Sequence, residues 1–299
     1  MCIRDRGNPL EAISKVIDFE MFRNTLEDKL LNTNKKSNAG AKPFDVVMMF
    51  KIIILQRYYG LGDKQVEYQI LDRTSFKNFL GLASGDKVPD EKTVWLFREN
   101  LTNSGVIEVL FNQFITYLGL KGLIFNEGKL VDASFTVAPR QRNTREENQK
   151  IKDGEGDDLW NDEPNKKRHK DIDGRWTKKN NETFYGYKNH AKVDTKSKFI
   201  KKFVVTDASV HDSQALDLLL DEEDANQDLH GDIAYTGEEQ EDTITKHKMI
   251  NKVNEKGYRN KPLTEEQKLS NRQKSKTRAR VEHEMCIRDS EQTIRLAIL

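Results

Sequence analysis

The chain has 299 residues, 33% of them charged and 36% hydrophobic, with a net charge of +1. That length holds one large domain or two ordinary ones and can bury a core, and the apolar content is too high for disorder throughout. No run of about 18 apolar residues occurs, which excludes a membrane-spanning helix, and the start MCIRDRGNPLEA lacks the apolar centre of a signal peptide, so the interior of a cell is the expected location.

The pentapeptide MCIRD occurs twice, at 1–5 and 285–289, and carries both cysteines, Cys2 and Cys286. No supersecondary repeat is so short and so far apart. Residues 1–6 and 285–290 are therefore read as sequence foreign to the natural protein, for example translated adapter. The remaining chain then has no cysteine, which leaves no disulfide or thiolate site to consider.

Residues 7–125 read as a helical domain. The stretch 43–59 carries Phe44, Val47, Met48, Phe50, Ile52, Ile53, Ile54, Leu55 and Tyr58, an apolar surface nearly all round, as the centre of a bundle requires. Gly60 and Gly62 end it. Shorter helices are expected at 64–71 and 75–80, and Pro89 with Asp90 opens another. Short helices joined by tight turns suit a helix-turn-helix DNA reader and a plain bundle equally.

After Gly119 and Gly122 the pattern changes to strands, which places a second domain at 126–284. Residues 128–139, GKLVDASFTVAP, alternate: Val131, Ala133, Phe135 and Val137 on one side, Leu130, Asp132, Ser134 and Thr136 on the other. This is the period of a half-buried strand. Asp132 sits mid-strand away from the apolar row, where a carboxylate must be hydrogen-bonded, paired or bound to a cation. The polar segment 140–181, with Trp160 and Trp176 among few apolar residues, is expected to be a functional or disordered loop. Two strands forming a hairpin follow at 185–194 and 199–206. His211 or Asp212 begins a helix with Leu216, Leu219 and Leu220. LHGDIAY, 229–235, is a short fourth strand or its exit, holding Asp232, and 249–253 suits a fifth. Thr264 with Gln267 makes a capping box for a long basic helix reaching at least Glu282. The order gives a mixed α/β class whose first three strands are antiparallel neighbours.

In that order Asp132 and Asp232 can lie side by side although 100 residues separate them, and Glu282 comes from a helix able to pack over the same sheet edge. Three carboxylates without cysteine or a histidine cluster suit hard cations, Mg²⁺ or Mn²⁺. Two such ions about 4 Å apart would serve the attacking and leaving oxygens of a phosphodiester. Arg272, Lys274, Lys276, Arg278 and Arg280 around Glu282 would hold a phosphate backbone. Charge is segregated accordingly: residues 203–245 hold 13 acidic residues and no Lys or Arg, whereas 246–280 hold 12 basic and 3 acidic residues. This fits a cation-binding surface beside a polyanion-binding one, and equally two solvated faces. His190 and His211 lie near the presumed site as structural hydrogen-bonders or as contacts to DNA or metal. Trp176, Tyr185 and Tyr187 are read as pinning a loop rather than stacking on a base, and Lys166 to Lys170 as a DNA grip or a solvated mixed-charge loop.

Here the motifs VDASFTVAPRQRNTREEN (131–148), RWTKKNNETFYGYKNHAKVDTKSKFI (175–200), VVTDASVHDSQAL (204–216), GDIAY (231–235), EKGYRNKPL (255–263) and NRQKSKTRARVEH (271–283) come in order, with PDEKTVWLFRENL (89–101) before them. Together they resemble a bacterial DDE transposase of the insertion sequence five family. The resemblance implies a ribonuclease-H-like catalytic domain with Asp132, Asp232 and Glu282 as its metal-binding triad and Arg278 as the family's helix arginine. It further implies terminal inverted repeats and target DNA as partners, a homodimer pairing two element ends, and a cytoplasmic, nucleoid-associated location. The chain departs from the family where Leu229, His230 and Gly231 replace an apolar run before Asp232. The tail after the second MCIRD is also short, so the copy is read as truncated or chimaeric at its end, with its triad intact and its activity left open. A metal nuclease of the same fold, or a non-catalytic DNA-binding remnant, is the alternative reading.

Overall fold

In the computed structural model, the structure describes residues 7–31, 42–179, 181–258 and 262–289, with side chains of 280–289 outside the description. Ile124–Glu282 forms one compact unit and the helices before it another.

The helical unit comprises α1 (Pro9–Val16), α2 (Arg23–Leu30), α3 (Val46–Tyr59), α4 (Asp63–Asp72), α5 (Thr74–Leu80), α6 (Glu91–Asn103) and α7 (Ile107–Leu120). Helix α3 is buried on every side from Val46 to Gln56 except at Lys51, and α2, α4, α5 and α6 pack around it, as an all-round apolar helix demands. Its start is capped by Asp45 Oδ1 accepting from Met48 N at 2.9 Å, and Gly60 ends it in the left-handed region. A polar seam runs through Arg98 on α6, which donates two bonds to Asp63 at 2.7 and 2.8 Å, while Gln56 donates to the same carboxylate.

The second unit is mixed α/β, the architecture expected of the resemblance. It contains β1 (Gly128–Val137), α8 (Arg145–Lys152), α9 (Pro164–Lys167), β2 (Arg175–Lys179), β3 (Glu182–Asp194), β4 (Ile200–Asp207), α10 (Leu216–Leu219), β5 (Asp228–His230), α11 (Glu238–Lys246), β6 (Ile250–Asn251) and, as far as Glu282, α12 (Glu265–Asp289). The sheet runs β2-β3-β1-β5-β6, with β4 also on β3. β1–β3 and β3–β4 are antiparallel, while β1–β5 and β5–β6 are parallel. β2 takes residues 182–186 of β3 and β4 takes 187–193, so the two share one edge of the longest strand. The core against α10 joins Val131, Leu216, Leu219, Leu220, Leu229, Tyr235, Ile244, Met249 and Val253.

Two expectations need correction. β1 is not half-buried throughout: Gly128 to Val131 are buried on both faces because the strand lies between β3 and β5, and only its far end is exposed. The segment 140–181 is not a loop but carries α8, α9 and β2. It folds on polar contacts instead of an apolar period. Thr144 and Glu147 cap α8 reciprocally at 2.7 and 3.1 Å. The buried Trp160 donates its Nε1–H to Glu147 at 2.7 Å, and Lys166 reaches the same carboxylate at 3.2 Å. The Thr144 N–H and the indole together hold the Glu147 carboxyl down at about 2.

Gly186 pairs with Val137 of β1 and with Arg175 of β2, at φ 138°. A Cβ there would lie 2.7 Å from Ala138 N and nearer still to Thr136 O. Gly186→Ala is expected to destabilise the unit by about 1–3 kcal/mol, read as a lower urea midpoint; an unchanged midpoint would show that the backbone there relaxes freely.

Candidate active site

β1 and β5 pair in parallel with Leu130 opposite His230. Asp132 and Asp232 each follow that pair by two residues, so both stand just beyond the same end of the shared ladder, Asp132 within β1 and Asp232 past the end of β5. Asp132 is half-buried, and its Oδ1 accepts from Ala133 N at 2.9 Å. Asp232 caps the 3-10 turn Ile233–Tyr235, its Oδ1 accepting from Ala234 N at 2.8 Å. A β5 of only three residues therefore ends at the point where its aspartate leaves the ladder.

Helix α12 is tied to the stretch after β6 by one face. Asn271 donates to Glu255 O at 2.9 Å and accepts from Glu255 N at 2.8 Å, Asn254 donates to Ser275 Oγ at 3.1 Å, and Lys274 donates to Val253 O at 3.0 Å. Lys274 is thus held against the sheet's own chain, whereas Arg272 and Lys276 are exposed. Arg278, one turn after Lys274, is half-buried and its charge reaches Tyr235 and His230. Position 282 follows Arg278 by one further turn on the same helical face. The side chains of Arg280 and Glu282 lie outside the described residues.

One group near the aspartates went unnoticed in the sequence. Tyr235 is buried at 1% exposure. Burial raises its pKa, and the carboxylates of Asp212, Asp132 and Asp232 raise it further, while Arg278 opposes them. Asp212 is paired with Lys188, Nζ to Oδ1 2.8 Å. The signal for Tyr235 was present in GDIAY, but an aromatic residue after a turn reads first as core. His190 and His230 are buried, and burial lowers both pKa values, so these imidazoles are neutral near pH 7. His190 bonds Thr206 at 2.9 Å, and His211 caps the turn that begins at Asp212.

Much of the acidic segment is consumed internally: Asp221 and Asp224 meet Lys192 at 2.6 and 2.5 Å, Asp221 also meets Lys202, and Asp217 meets Lys246 and His247. The lysines of 166–170 are likewise engaged, Lys166 and Lys170 over the Trp160 ring and Lys167 on Asn161. Tyr185 and Tyr187 both donate to Asp171. Among the described residues no three His, Cys, Asp or Glu side chains gather closely enough to hold a metal ion. The two strand aspartates supply only oxygen donors, a set that fits a hard cation once a third carboxylate joins them.

Residues 1–100 match the family described as Transposase domain (DUF772), and residues 125–285 match the Transposase DDE domain, ending at the first residue of the second MCIRD. No solved structure gives a significant match. The DDE match spans more than half the chain and contains both strand aspartates and the helix reaching Glu282. The chain belongs to the transposases built on a DDE domain.

Proposed function

We propose that this transposase, whose family cleaves DNA and joins the freed end to a target with a divalent metal, does so through Asp132, Asp232 and Glu282 as the carboxylates that hold Mg²⁺ or Mn²⁺. The observation that carries the reading is the β1–β5 register, which sets Asp132 and Asp232 at equal distance beyond one paired rung. The bound ions would supply charge to the attacking and departing oxygens of the phosphodiester. The chain's own residues would orient the DNA: Arg272 and Lys276 on the exposed face of α12 would take phosphates, while Lys274 and Arg278 fix the helix against the sheet. The helical unit would read the terminal inverted repeats, a homodimer would pair the two ends, and the insertion sequence five family is the subgroup that fits the motifs. Action on DNA in a bacterial cell implies a cytoplasmic, nucleoid-associated location.

The test is Mg²⁺-dependent cutting and joining of a fragment bearing the element's terminal repeat. Cutting without joining would point to a nuclease, and binding without either to a remnant. The phosphate role has its own measurement. Arg272→Gln combined with Lys276→Gln is expected to lower DNA affinity for all sequences alike and to flatten the salt dependence by about two units in slope. An unchanged slope would remove these side chains from the DNA path.

A further inference from the structure

We infer that Tyr235 is a positioning residue of the metal site, its hydroxyl donating a hydrogen bond to the carboxylate and water shell around the cation that Asp132 and Asp232 hold. This rests on the proposed carboxylate site and extends it to a group outside the metal ligands. The geometry is specific. Tyr235 lies three residues after Asp232, at the end of the turn that Asp232 caps. Its ring occupies the space a side chain at position 231 would need: a Cβ on Gly231 would fall 3.1 Å from Tyr235 Cδ2 and 3.2 Å from Val131 Cγ2. Val131 and Gly231 immediately precede the two aspartates, so the ring is wedged between β1 and β5 at the point where both carboxylates leave the sheet.

The hydroxyl of that ring is buried and has no hydrogen-bond partner among the described residues. A buried phenol without a partner is costly, and tyrosine rather than phenylalanine at such a place calls for an acceptor. The charged groups facing it are Asp132, Asp232 and Asp212 against Arg278, and Asp212 is already paired with Lys188. A neutral phenol among carboxylates can act only as a donor toward them or toward water that they order. Donors of this kind around a metal orient its ligands, and their loss commonly weakens metal affinity about 10–100-fold.

The test is Mn²⁺ binding by the full chain, followed by calorimetry or by the electron paramagnetic resonance of free Mn²⁺, for the wild type, Tyr235→Phe and Asp132→Ala. Thermal midpoints in chelator serve as the control for folding. Tyr235→Phe is expected to weaken Mn²⁺ about tenfold or more while its midpoint in chelator stays at the wild-type value, a combination that a purely structural ring would not produce. Wild-type Mn²⁺ affinity in Tyr235→Phe, with affinity lost in Asp132→Ala, overturns the tyrosine's role and leaves the carboxylate site standing. Wild-type affinity in both variants overturns both. A Tyr235→Phe chain that fails to fold shows that the hydroxyl serves the fold, and overturns the inference as well.

Discussion

Asp132→Ala is expected to abolish cutting and joining of a terminal-repeat fragment while DNA binding survives. The carboxylate stands two residues beyond the last β1–β5 rung and its Oδ1 accepts from its neighbour's N–H at 2.9 Å, and removing it takes away one of the proposed metal ligands. A bound divalent ion contributes several kcal/mol of charge stabilisation, and roughly 1.4 kcal/mol corresponds to a factor of ten, so the expected loss is about a thousandfold or more. The exposed Arg272 and Lys276 stay in place, so binding measured in the same buffer with the same fragment is expected within about twofold of wild type. A variant that still cuts at the wild-type rate would remove Asp132 from the chemistry. If the unaltered chain also fails to cut yet binds DNA, the protein is a transposase whose fold has outlived its reaction.

Asp224→Ala is expected to cost about 3 kcal/mol of stability. Lys192 of β3 is 1% exposed and its ammonium lies 2.5 Å from Asp224, itself fully buried, and 2.6 Å from the half-exposed Asp221. Removing one partner of a buried pair leaves an ammonium short of countercharge, which generally costs about 3–5 kcal/mol; the lower end applies because Asp221 remains. The pair as a whole is worth far less than that figure, since its formation also requires dehydrating both ions. Lys192→Met combined with Asp224→Leu is therefore expected to restore most of the loss, and urea midpoints for the single and double variants close the cycle. A double variant as unstable as Asp224→Ala would show that the pair holds the geometry of α10 and β3 in a way apolar packing cannot replace.

The same lysine shows where a sequence reading runs short. Apolar periods disclosed α3, β1 and the hairpin β3–β4, and turn residues disclosed the capping box before α12, whose two bonds the structure contains at 3.0 and 3.2 Å. The two aspartates could be set together from strand order alone. What was hidden is structure carried by polar side chains: the segment from α8 to β2 closes around Trp160 through Glu147 and Lys166, and Lys129, Lys188 and Lys192 are buried on a strand pair whose pattern suggests water. A charged residue announces exposure unless its partner is known, and the partners stand far away, Asp194 for Lys129 and Asp224 for Lys192. Lys274 was hidden for the converse reason. It belongs by sequence to a run of basic residues, and only the chain beside it at Val253 takes it out of that group.

β5 has three paired residues. So short a ladder has little power to resist sliding, yet a slip of one residue would turn Asp232 to the opposite side of the sheet, and a slip of two would carry it about 7 Å along the strand. The alignment is enforced instead by shape, with the Tyr235 ring seated against Gly231 and Val131 as a key in its slot. The relative placement of the two aspartates is in this way delegated to the fit of apolar surfaces directly beside them. A conservative change at Val131 or Leu229 is expected to leave a chain that folds and has every carboxylate, but with Asp132 and Asp232 out of step.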